Sequence, residues 1–179
     1  MVASVVSAGG ALGVGSVLGQ WIGAAHDRRG ARAAVLRALS EVESARWTSG
    51  HSEEESTRNY SLDEFRVLVR DFQTASLVAG LPRDAVDWYC DLALAARHAS
   101  RENAMESNGE DYNAGSIDPE LGKVVRRAAR DVAGLCWTAR GSRSLRWRLF
   151  VRPRLRRSVG RLNSTIRAQI EGLAGWGSV

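Results

Sequence analysis

A chain of 179 residues has room for one domain, or one domain with an appendage. Its 44% hydrophobic and 25% charged residues exclude wholesale disorder, a collagen-like fibre and a multi-span membrane protein, while its two cysteines, Cys90 and Cys136, exclude a disulfide scaffold and a four-cysteine zinc site. The net charge of +5 conceals a polarity: residues 1–47 carry +2, residues 48–120 carry −9 and residues 121–179 carry +12.

Met1 to Ala25 contain no charged residue and no proline, and a bilayer core needs about 20 apolar residues in a helix. Six glycines fall in this stretch, which disfavours a helix in water but suits close helix pairing in lipid. Ser7, Ala11, Gly15, Gly19 and Gly23 recur every four residues and form a small-residue stripe, a candidate helix-pairing face. Arg28, Arg29, Arg32 and Arg37 follow the apolar run and nothing basic precedes it, so the reading is a single span with its C-terminal side in the cytoplasm. Two alternatives stand beside it: a signal peptide cut near Gly23-Ala24-Ala25, although it lacks a basic start, and a glycine-rich N-terminus of a soluble protein.

The apolar positions Val35, Ala38, Leu39, Val42 and Ala45 keep helical spacing, so residues 26–47 read as a juxtamembrane helix continuing the span. Residues 48–59 form a polar loop with three consecutive glutamates. Ser61-Leu-Asp-Glu64 is a capping box, predicting a helix whose buried face holds Phe65, Leu68, Val69, Phe72, Leu77 and Val78 up to Gly80. After Leu81-Pro82 a second helix, carrying Val86, Tyr89, Cys90, Ala93, Leu94 and Ala96, is expected to reach about Met105. Residues 108–116 form another polar loop, and Asp118-Pro119-Glu120 starts a third helix with the inward stripe Leu121, Val125, Ala128, Val132 and Leu135. Beyond a break at residues 140–144, a continuous amphipathic helix is expected after Pro153, with Leu155, Val159, Leu162, Ile166, Ile170 and Leu173 inward.

The expected fold is all-α: an N-terminal transmembrane helix (1–25) continuing through residues 26–47 into an antiparallel cytosolic helical bundle (48–139), followed by an Arg-rich segment and amphipathic C-terminal helix (140–179). No phosphate loop, zinc-protease motif, nucleophile elbow or paired-cysteine motif occurs, and no catalytic residue, metal ligand or cofactor is expected. His51 lies in a loop, and Cys90 and His98 are eight residues apart, too far for a nucleophile and its base on one helix. Asp84, Asp87 and Asp91 share a helical face and read as a solvated row or as partners for Arg126, Arg127 and Arg130.

Residues 140–161 hold nine arginines and no acid, with Trp147, Leu149, Phe150 and Val151 interleaved. The candidate anionic-surface residues are Arg143, Arg146, Trp147, Arg148, Arg152, Arg154, Arg156, Arg157 and Arg161. Such a segment suits anionic lipid. The same composition would hold a nucleic-acid backbone without reading sequence, or cover the acidic stretch of the same chain. The functional expectation is a non-enzymatic, membrane-anchored interaction or scaffold protein that self-associates through its span. Two alternatives are a soluble or peripheral helical module binding nucleic acid and an oligomeric membrane pore component. Genome-wide preference for Arg over Lys is the simpler account of the arginine usage itself, since 24 of the 25 basic residues are Arg throughout the chain.

Overall fold

The computed structural model describes residues 27–46, 60–106 and 118–170, with the exception of 165 and 169. All regular structure among the described residues is helical. Residues 27–46 form α1. Next come α2 (Leu62–Val78), α3 (Arg83–Glu106) and α4 (Pro119–Trp137). A 3₁₀ turn (Arg140–Ser142) then leads into α5 (Arg143–Arg146), a π turn (Trp147–Val151) and α6 (Arg152–Val159).

Local chemistry sets the helix ends. At the start of α2 the Ser61 hydroxyl accepts from the Glu64 amide at 3.1 Å, and the Glu64 carboxylate accepts from the Ser61 amide at 2.8 Å. Two orphan donors of the first turn are thereby satisfied reciprocally. Asp118 does the same for α4, accepting from the amides of Glu120 and Leu121. Pro119 follows at a position where the missing N–H costs nothing. α2 ends in a Schellman turn: Leu81 donates to the Ser76 carbonyl and Gly80 to that of Leu77, with Gly80 at φ +74°. Only four residues separate α2 from α3, so the two form an αα-hairpin.

One hydrophobic core joins every described stretch. Val35, Leu39, Val42 and Ala45 of α1, Phe65 and Phe72 of α2, and Val86 and Tyr89 of α3 are buried together. Val125, Val132 and Leu135 of α4, together with Trp147, Val151 and Leu155, complete it. Phe72 meets Tyr89 edge-on at 5.0 Å. Each fully buried phenylalanine contributes about 1.5–3 kcal/mol by leaving water, and the ring pair adds about 0.5–1.5 kcal/mol. Tyr89 also donates its hydroxyl to Glu43 at 2.7 Å, fastening α3 to α1.

Three expectations change. First, the continuous helix after Pro153 is absent. The helix begins ten residues earlier, at Arg143, and α6 stops at Val159. Pro153 has no N–H for the carbonyl four residues back, and the chain widens into the π turn just before it, where the Arg152 amide donates to the Trp147 carbonyl. Gly160 closes α6, and helical residues resume at 164. Second, Leu77 and Val78 are exposed while Ser76 is fully buried. The inward series 65, 69, 72, 76 keeps a steady 3–4 spacing that leaves 77 and 78 outside. Third, Asp84, Asp87 and Asp91 do not pair with Arg126, Arg127 or Arg130. Asp87 instead accepts from Gln73 at 2.9 Å and pairs with Arg83. α3 and α4 meet through apolar stripes, which turns their charged faces away from each other. No helix among the described residues is long and apolar enough to cross a membrane. The expected span, residues 1–25, lies outside the described residues, as do Ser7, Ala11, Gly15, Gly19 and Gly23.

Candidate anionic-surface site

From Arg143 to Leu155 the inward residues are spaced by four: Arg143, Trp147, Val151 and Leu155 are all buried. In a pure α-helix, four-residue steps rotate by about 40° each and would leave the core. The wider π turn absorbs part of that rotation and keeps the series facing inward. Two residues out of step, Leu145 and Leu149 therefore project outward, each 59% exposed, with Phe150 beside them at 70%. Arg146, Arg148, Arg154, Arg156, Arg157 and Arg161 of the same segment are exposed too, and Arg152 is half-buried.

Two of the nine candidate residues are withdrawn from the surface. Trp147 is 1% exposed and packs edge-on against Trp88 at 6.5 Å. Its indole N–H has no acceptor among the described residues. Arg143 is 5% exposed and acts as a tie between helix ends. Its guanidinium donates to the carbonyls of Ala79 (2.7 Å) and Gly80 (3.2 Å) at the end of α2. It also donates to Cys136 (3.2 Å) and Thr138 (3.1 Å) at the end of α4. Helix C-termini carry unsatisfied carbonyls and partial negative charge, so a cation there is stabilised twice over. The sequence carried no local sign of this role, because the four carbonyls come from two remote helix ends.

The remaining arginines differ in how far they are engaged. Arg154 forms an ion pair with Asp131 of α4, and Arg146 donates to Thr138 Oγ1 at 3.1 Å. Among the described residues, Arg157 donates only to the Pro153 carbonyl of its own helix. Among the described residues, no arginine of 140–161 pairs with an acid of residues 60–106. The expected cover of the acidic stretch by the Arg-rich segment is therefore not made there. No group of metal-ligating side chains occurs among the described residues.

Two further buried cations escaped the sequence reading. Arg97 is buried, lies 6.0 Å from the Phe65 ring and donates to the carbonyls of Tyr60 and Ala45. Arg46 is buried against Glu43. Their helical positions, in register with Phe65-facing and Val42-facing stripes, were the available signal. No known protein family, curated protein or solved structure matches the chain.

Proposed function

We propose that the protein is a non-enzymatic, membrane-anchored interaction or scaffold protein whose Arg-rich ridge docks on anionic lipid. The anchor in this reading is the uncharged stretch 1–25, with the helical domain on the cytoplasmic side and self-association through the Ser7, Ala11, Gly15, Gly19 and Gly23 stripe. The observation that carries the lipid contact is the exposed Leu145, Leu149 and Phe150 ridge in a segment whose arginines have, among the described residues, no acidic partner apart from Asp131. Apolar tips reach below the headgroups while guanidinium forks hold their phosphates. Each arginine near such a surface adds roughly 1 kcal/mol, attenuated as salt shortens the screening length.

The test uses the full chain in nanodiscs of neutral lipid, mixed with vesicles and floated on a density gradient. Vesicles containing phosphatidylserine should carry the nanodiscs upward at low salt and release them at high salt, while phosphatidylcholine vesicles should not carry them. Changing Arg148, Arg156, Arg157 and Arg161 together to Gln should weaken capture by roughly a hundredfold or more. Equal flotation with neutral vesicles overturns the reading. Preference for RNA or DNA over anionic vesicles at matched charge replaces it with nucleic-acid binding.

A further inference from the structure

A cavity of about 310 Å³ opens between α3 and the chain from α6 onward, within the usual size range of small-ligand pockets. Trp88 and Leu92 line it from α3, and Val159 and Ile170 from the other side. Three charged side chains reach the same space: Asp91 from α3, Arg156 from α6, and Arg167. These opposite charges share a lining without pairing, and Asp91 has no hydrogen-bond or ion-pair partner among the described residues. Arg167 Nε is buried and lacks an acceptor among the described residues.

An unmet guanidinium N–H in a mostly apolar pocket is costly. The acceptor that best matches a guanidinium fork is a planar carboxylate. Burial, and then the neighbouring charge of Asp87, push the Asp91 carboxyl up to about 6. Asp91 therefore accommodates an anion beside it by taking up a proton.

We propose that this cavity binds a small apolar monocarboxylate, its head on Arg167 and Arg156 and its hydrocarbon among Trp88, Leu92, Val159 and Ile170. A phosphate ester is disfavoured, because its second negative charge would fall close to Asp91. Arg156 is shared with the ridge proposed to meet lipid, so Arg167 is the residue that separates the two ideas.

The probe is 6,6,6-trifluorohexanoate, followed by fluorine NMR with the full chain in neutral-lipid nanodiscs and empty nanodiscs as the blank. Saturable binding is expected at pH 7. Arg167→Gln should weaken it by roughly tenfold or more, the scale of one charge-assisted hydrogen bond. Asp91→Asn should tighten it, and Arg148→Gln, on the ridge, should leave it unchanged. Should Arg167→Gln lower the melting temperature, Arg167→Lys keeps the charge but loses the fork, and a partial loss of affinity is expected. Absence of saturable binding overturns the proposal, as does parental affinity in a folded Arg167→Gln or Arg167→Lys variant. Equal affinity for trifluorohexanol reduces the site to an apolar hole, and tighter binding of the corresponding alkyl phosphate refutes the monocarboxylate assignment.

Discussion

The α2–α3–α4 region and the segment from Arg140 to Arg161 handle charge in opposite ways. In the first, ionic contacts within the region are local: Asp63 with Arg66, Arg83 with Asp87, Glu120 with Lys123, each three or four residues apart on an exposed helix face. Such pairs contribute only about 0.2–0.5 kcal/mol apiece, and the apolar stripes dominate. In the second region no acid is available within the segment. One cation, Arg143, is instead buried on helix-end carbonyls, another, Arg154, finds Asp131, and the others, apart from the half-buried Arg152, are exposed. Arginines close together in sequence thus divide into a structural fastener and a free surface. Counting charges does not separate them; the four-residue inward spacing does.

The division can be broken most forcefully at Trp147. If it belongs to the core, Trp147→Ala should cost about 3–5 kcal/mol. Leu149→Ala, two positions out of step, should lie within about 0.5 kcal/mol of the parent. Chemical unfolding followed by circular dichroism measures both, and comparable losses at the two positions would erase the distinction between inner and outer faces.

Next in size is Arg143→Leu, which removes one cation from four carbonyls. A loss of about 3 kcal/mol is expected, equivalent to a melting temperature lower by roughly 6–12 °C for a chain of this size. Arg143→Lys should recover only part of it, because an ammonium cannot span both helix ends as a planar fork does. Arg148→Leu should leave melting nearly unchanged. A larger effect at Arg148 than at Arg143 would reverse the assignment.

Ser61→Ala sharpens the other side of the comparison. It breaks the capping box of α2 and should cost about 1 kcal/mol, read as a shift in the denaturant midpoint at constant slope. The smallest effect is expected at Asp91. Its carboxyl is raised from 3.8 to about 6, by burial first and by Asp87 second. Ionised Asp91 is therefore a penalty in the folded chain, absent below about pH 4 and complete above about pH 6. Asp91→Asn should raise the melting temperature slightly at pH 8, and the gain should vanish by pH 4. A gain that grows on acidification would contradict the sign.

What could be read from residues alone follows the range of the interactions involved. The capping box at Ser61, the Asp118-Pro119 start and the stripe from Leu121 to Leu135 are consequences of neighbours within one or two turns. All were legible. Residues 140–161 were legible as basic and apolar, but not as a helix passing through Pro153. Its π turn depends on how Trp147 and Leu155 are held by the core as much as on the proline. Burial of Arg97 and Arg143 was hidden for the same reason, since their acceptors are backbone carbonyls, several of them far away in the chain, that any sequence possesses. The pocket around Arg167 joins α3 to residues beyond α6, and no spacing rule connects Asp91 to a side chain 76 positions later.

Both thiols lie inside: Cys90 and Cys136 are buried, and burial is the leading cause pushing each up from its ordinary value. Thiolates are the reactive form, so neither cysteine reacts while the fold is closed. Alkylation becomes a clock for breathing motions, with Cys90 timing openings of α3 and Cys136 those at the end of α4, where Arg143 clasps the carbonyl. Measured at low reagent concentration, the two rates report the local opening free energies of adjoining helices without any engineered label.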